Sequence, residues 1–135
     1  MLKINQRSDH LINDDIRRII TNYAPAANDR HHIQYEVIGG VVNLSGYVRT
    51  EPTAAYLVQQ VGQLEGVIGL VTDRFYTDEA LRLDIGRLVP FGVQVRVEYG
   101  NVILAGYPVD DVDLQQVLNT VSHVAGVRRV IDAIS

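Results

Sequence analysis

The chain has 135 residues and a mass of 15.0 kDa; 47 % of it is hydrophobic, 16 acidic side chains face 12 basic ones, the net charge is −4, and there is no cysteine. This length holds one ordinary domain or two very small ones, and the composition belongs to a folded chain with a core. The missing cysteines exclude a disulfide framework, a thiolate metal centre and a cysteine nucleophile, and the acidic balance gives no whole-molecule attraction for nucleic acid or an anionic membrane.

In the N-terminal segment, residues 1–12, Lys3, Gln6, Arg7, Ser8 and Asp9 interrupt any apolar run before a signal-peptide core could form. No window approaches the roughly 18 to 20 apolar residues that span a bilayer. As written, the chain therefore reads as cytoplasmic and without a transmembrane segment. From residue 13 onward Ile16, Ile20 and Tyr23 fall on one helical stripe behind Asp14 and Asp15, which suit the positive end of a helix dipole. Ile33, Tyr35 and Val37 then alternate with Gln34 and Glu36. Gly39 and Gly40 turn the chain, and Val42 and Leu44 alternate with Asn43 and Ser45, the pattern of a hairpin with one apolar face. Ala54, Leu57, Val58, Val61 and Leu64 form the stripe of a longer helix with Pro52 in its first turn. Gly66 is placed to end that helix, and VIGLVTDRF, residues 67–75, reads as a third strand.

The order then repeats. Thr77 can cap the next helix, whose Leu81, Ile85 and Leu88 match Ile16, Ile20 and Tyr23 in helical spacing. Val93, Val95 and Val97 alternate with polar residues up to a turn at Tyr99, Gly100 and Asn101. Gly40, Val42, Leu44, Gly46 and Tyr47 return, all at one constant offset, as Gly100, Val102, Leu104, Gly106 and Tyr107. Leu114, Val117, Leu118, Val121 and Val124 repeat the long stripe behind Asp110, Asp111 and Asp113, and Gly126 precedes VRRVIDAIS. The sequence predicts an α+β protein of two tandem α-β-β-α-β modules, residues 13–76 and 77–135, each a three-stranded sheet with two helices on one face. Gly40, Gly46, Gly66, Gly100, Gly106 and Gly126 serve as turns, strand bulges and helix ends. A module of about 60 residues buries only about 60 % of its unfolded surface, so the two are expected to lean on each other. The connection between them is too short for a flexible linker.

An acidic helix start, a glycine turn, the pattern V-x-L-x-G at residues 42–46 and again at 102–106, a long helix, and the pairs Gly66-Val67 and Gly126-Val127 occur in this order twice. This resembles the BON domain of bacterial osmotic-stress and nodulation proteins over residues 13–135. The resemblance implies α/β modules, often in tandem, in envelope and osmotic-stress proteins that contact phospholipid or other envelope components. It also implies a periplasmic or envelope location, kinship with a potassium-binding protein, and kinship with pore- and ring-forming assemblies.

No residue set reads as catalytic, and no cofactor or metal is expected. His31 and His32 are adjacent on a segment read as extended, so they point to opposite sides, with His10 and His123 distant in sequence. Asp14-Asp15 and Asp110-Asp111 are explained as helix-start acids, and Ser8, Ser45, Ser122 and Ser135 have no activating context. Neither phosphate-cradling glycine pattern occurs. The basic clusters are Arg17-Arg18, Arg30 with the two histidines, and Arg128-Arg129. Arg128 and Arg129, with Arg17 and Arg18, are the candidate lipid-phosphate contacts, although Asp14 can pair with Arg18 along the helix. No stacking aromatics interleave these clusters, so nucleic acid is not an expected partner. Tyr47 and Tyr107 either cap the core edge or anchor an interface, and Ile38, Val41 and Ile103 are apolar on otherwise polar sheet faces. Three readings follow. They are attachment to phospholipid or envelope surfaces, assembly with itself or other proteins through open sheet faces and edge strands, and small-ion (potassium) sensing through backbone carbonyls.

Overall fold

The computed structural model describes residues 7–135. Of the expected N-terminal segment, residues 1–6 lie outside the described residues, and 9–12 form the first turn of α1 (Asp9–Asn22). The Ser8 hydroxyl accepts the His10 N–H, and Ile12, Ile16 and Ile20 form the buried stripe. A short helix α2 (Ala24–Asn28) and a 3-10 turn (Arg30–His32) join α1 to the sheet. β1 (Ile33–Ile38) and β2 (Val41–Val48) form the hairpin, antiparallel with Tyr35 opposite Leu44. α3 (Glu51–Gly62), capped by Thr50, crosses back over the sheet.

The returning strand of the first module is split. β3 (Gly69–Val71) runs parallel to residues 41–43 of β2, and β4 (Phe75–Thr77) runs parallel to residues 46–48 of the same strand. β4 leads without a gap into α4 (Asp78–Gly86), whose cap, Thr77, is the last residue of β4. β5 (Val93–Glu98), β6 (Asn101–Gly106), α5 (Leu114–Ser122) and an unbroken β7 (Arg129–Ile134) complete a second sheet in the order β5-β6-β7. Both modules follow the α-β-β-α-β plan, and the first adds α2.

One device fixes the first helix of each module against its sheet. The Asp9 carboxylate accepts the N–H groups of Gly39 and Gly40 at 2.8 and 2.9 Å, and that of Asp78 accepts those of Tyr99 and Gly100 at 2.7 and 3.1 Å. The two aspartates are equivalent, so Ile12 corresponds to Leu81 and Ile16 to Ile85. The periodicity alone pairs Ile16 with Leu81 instead, because a stripe that repeats at every fourth position can be slid by one turn without losing its match.

Each module has its own core. Ile12, Ile16, Val42, Leu44, Leu57 and Val61 are fully buried in the first; Ile85, Val102, Leu104 and Val121 are in the second, where Leu81 is nearly so. The second core is the smaller, and Tyr47 and Tyr76 of the first module pack against it. Each fully buried aliphatic side chain contributes about 1.5–3 kcal/mol, so contacts lent across the modules matter most to the second.

Two positions carry specific predictions. Gly46 has φ +100, and a Cβ there would collide with the His32 carbonyl oxygen. Gly46→Ala is expected to destabilise the protein by about 2–4 kcal/mol in urea unfolding, the sum of a left-handed alanine and a displaced strand end. On α1 the Asp15 carboxylate accepts from both Arg7 and Arg18, and the Arg7 hydrogen bond holds its pKa below the usual carboxylate range. A depressed folded-state value means that this stabilisation is fully present above the unfolded pKa of about 3.9 and is lost as pH falls through the folded value. Asp15→Asn is therefore expected to flatten the acid limb of melting temperature against pH below about pH 4, with the neutral-pH plateau lowered.

Candidate functional site

The two modules meet at a joint built around three tyrosines. Tyr99 stands where the first copy has Gly39, and it adopts a left-handed φ of 49° because Asp78 holds its N–H. Its ring stacks on His32 with centroids 3.5 Å apart and planes 6° from parallel. Its hydroxyl donates to Asp29 Oδ1 at 2.7 Å and accepts from Arg49 Nε at 2.9 Å. Asp29 is 1 % exposed, and its other oxygen accepts the backbone N–H of Arg49 at 3.0 Å. Burial, and then the hydrogen bond to Asp29, push the Tyr99 hydroxyl above the ordinary tyrosine value. Burial likewise pushes the Asp78 carboxyl up, opposed by its two backbone donors.

Tyr47 forms the second arm. Its hydroxyl donates to the Gly126 carbonyl oxygen at 2.6 Å, its ring lies against Gly100, where a Cβ would come within 2.5 Å, and it meets Tyr76 at a tilted 5.6 Å. The Tyr76 ring covers Gly126, leaving 2.7 Å for a Cβ. Both glycines have positive φ, and neither position has room for a side chain under the tyrosines. Behind the aromatic contacts, Glu79 N–H donates to the Arg49 carbonyl at 3.1 Å and Glu79 Oε1 accepts Glu51 N–H at 2.9 Å.

Three open clefts border the joint. A polar one of about 460 Å³ is lined by Arg49, Asp78, Glu79, Arg82, Glu98 and Tyr99. A smaller one of about 370 Å³ lies between His31, His32, Gln34, Tyr47 and Arg128. The widest, about 680 Å³, is a mainly apolar groove between α3 and α4 lined by Ala54, Ala55, Val58, Tyr76 and Leu81 among others. Among the described residues no group of three or more His, Asp or Glu converges to hold a metal ion, and no helix is long and apolar enough to cross a membrane.

The candidates named from sequence are distributed unevenly over this structure. Arg17 pairs with Asp14 at 2.9 Å and Arg18 with Asp15, so the carboxylate expected to serve Arg18 serves Arg17 instead. Arg128 lines the joint, and its N–H donates to the Gly100 carbonyl at 2.8 Å. Arg129 lies on β7 opposite Asn101. The two arginine pairs thus sit on different modules. His31 and His32 lie on a 3-10 turn rather than an extended segment, with His31 exposed and His32 under Tyr99. The repeated tyrosines have parted ways. Tyr47 is half-buried in the joint, whereas Tyr107 is 70 % exposed. Ile38 is exposed beside the first hairpin turn, and Ile103 is half-buried between Arg96 and Ile131 on the second sheet.

Sequence reasoning missed Tyr99, Asp29, Arg49, Tyr76 and Asp78 as members of one site. The available signal was the tyrosine that replaces a turn glycine. Tyr99→Phe leaves the buried Asp29 Oδ1 without its closest donor and is expected to lower stability by about 1–3 kcal/mol in urea unfolding. Tyr107→Phe serves as the control, with a change within about 0.5 kcal/mol.

The BON domain family matches the chain at residues 8–74 and 77–135. Among curated proteins no sequence matches it. Among solved structures, one described as CdsD, the structural protein of the type III secretion system of Chlamydia trachomatis, C-terminal domain, superposes with a TM-score of 0.75 at 17 % identity, covering 98 % of this chain and 68 % of that one. A second CdsD structure superposes with a TM-score of 0.73 at 18 % identity over 95 % of this chain and 63 % of its own length. At these identities the likeness is one of fold, and about a third of each CdsD chain lies outside it.

Proposed function

The chain belongs to the BON domain family, and on that premise we propose that it is a non-enzymatic attachment protein, a rigid two-module connector that works through protein surfaces within a larger assembly. The observation that carries this reading is the joint. β4 belongs to the first sheet, its last residue caps the first helix of the second module, and Tyr47, Tyr76 and Tyr99 lock the pair. A connector needs a fixed angle between its ends, and two domains held only by a flexible linker would not provide one. The fold shared with a protein described as a structural component of a secretion system supports the same class of role.

Attachment to phospholipid is the second reading. It is favoured by Arg128 and Arg129, neither of which has a carboxylate within ion-pair distance among the described residues, whereas Arg17 and Arg18 are already neutralised on α1. Two arginines near an anionic surface contribute about 1 kcal/mol each, which is too little to anchor a protein of net charge −4. In flotation with phosphatidylglycerol vesicles at low salt, the protein is therefore expected to remain unbound. Salt-sensitive flotation that disappears in the double variant Arg128→Gln, Arg129→Gln would replace the connector reading with the lipid one.

A further inference from the structure

Each half of the joint has a counterpart in the other module that the joint leaves unused. The half that presents Tyr47 recurs in the second copy around Tyr107, and the half that receives it, the Tyr99-Gly100 turn with Gly126, has its equivalent in the first copy as the Gly39-Gly40 turn with Gly66. The backbones are built alike. Gly46 lies against the His32 carbonyl as Gly106 lies against that of Gly92. The N–H of Ile68 donates to the Gly40 carbonyl at 2.9 Å as that of Arg128 does to Gly100 at 2.8 Å. Arg7 covers Gly66 as Tyr76 covers Gly126, each just ahead of a capping Ser8 or Thr77. What the first receiving surface lacks is a tyrosine. Among the described residues no donor reaches the Gly66 carbonyl oxygen, the counterpart of the one that Tyr47 occupies on Gly126.

The side chains have changed in matched pairs. The Tyr99–His32 stack of the joint corresponds to Gly39 and Gly92 on the unused surfaces, so both partners of that contact are gone together. Where the joint has Arg49 and Arg128, the unused surfaces have Val109 and Ile68; where it has Glu98, they have Ile38. The five most exposed large apolar side chains of the described residues are Phe91 at 86 %, Ile68 at 78 %, Tyr107 at 70 %, Val109 at 68 % and Ile38 at 67 %, and all five lie on these two surfaces. Phe91, Tyr107 and Val109 are contiguous, since Tyr107 N–H donates to the Gly92 carbonyl and Val109 N–H to that of Phe91. Exposed apolar side chains on two surfaces already matched in backbone, one on each module, specify each other as partners.

Resting on the connector reading, we infer that a second copy of this chain seats its Tyr107 surface on the Gly40–Gly66 surface of the first, repeating the internal joint between molecules with an apolar contact in place of the polar one. Because the two surfaces are different and lie on different modules, the contact is head to tail, and it propagates as a filament or closes as a ring.

The test uses the whole chain and two charge insertions at exposed positions, Tyr107→Glu and Ile68→Glu, with circular dichroism to verify that each folds. By light scattering over a dilution series, the wild type is expected to exceed 15.0 kDa and to grow with concentration, while each variant stays at the single-chain mass. A 1:1 mixture of the variants retains one intact surface on each partner and is expected to form a two-chain species and nothing larger. A wild type that is monomeric throughout, variants that assemble like the wild type, or a mixture that stays monomeric would each overturn the inference. Assembly unaffected by either charge would leave the connector reading standing with a different interface, and a monomer that floats with vesicles would remove that reading too.

Discussion

Asp78 is the group on which the two-module architecture turns. It begins α4 directly after the last residue of β4, and its carboxylate fixes the Tyr99-Gly100 turn by both backbone N–H groups. That turn presents the Tyr99 ring to His32 and its hydroxyl to Asp29, and it places Gly100 under Tyr47. A single buried carboxylate thus links the end of the first sheet, the start of the second module and the contact between them. Buried carboxylates with raised pKa values often mark catalytic sites. At Asp78 both oxygens are taken up by the backbone N–H groups of Tyr99 and Gly100, so its hydrogen-bonding capacity is spent on holding that turn.

The joint also explains how a small second module stands. Its buried core is half the size of the first by number of residues, and the aromatic area of Tyr47 and Tyr76 is supplied from outside. Small domains bury too little of their own surface to be more than marginally stable, and a packed neighbour is one physical remedy. The same aromatic contacts stiffen the pair, so stability of the second module and rigidity of the whole have a common source.

Duplication makes the surfaces comparable residue by residue. The glycines at turns, strand ends and helix ends are shared because close backbone approach and positive φ leave few alternatives. The side chains around them are not shared, and they differ in a correlated way. Charged and aromatic polar groups line the surfaces that face each other within the chain, and aliphatic and aromatic apolar groups line those that face outward. A polar contact inside a chain is held by its covalent neighbours and tolerates weaker burial, whereas a contact between separate molecules needs apolar area to offset the entropy of association.

The periodicities of the sequence, read with its turn and capping residues, were enough to determine the α-β-β-α-β plan, its duplication, the apolar face of each hairpin, and the absence of room for a flexible linker. Those features are local, because alternation, helical stripes and left-handed glycines leave their mark within a few positions. The register of α1 was ambiguous by one turn, since Ile12, Ile16 and Ile20 recur at every fourth position and only the hydrogen bonds from Asp9 to the distant Gly39-Gly40 turn choose among the alternatives. The site was less legible still. Asp29 and Arg49 meet within the first module and Asp78 and Tyr99 within the second, and the two pairs come together only because the modules dock. Tyr47 and Tyr107 share their sequence context, each following the strand glycine, and it is packing against the second module that buries Tyr47, whereas Tyr107 is 70 % exposed. The sequence determined the module; the packing of one module on the next decided which of its surfaces became a joint and which remained open.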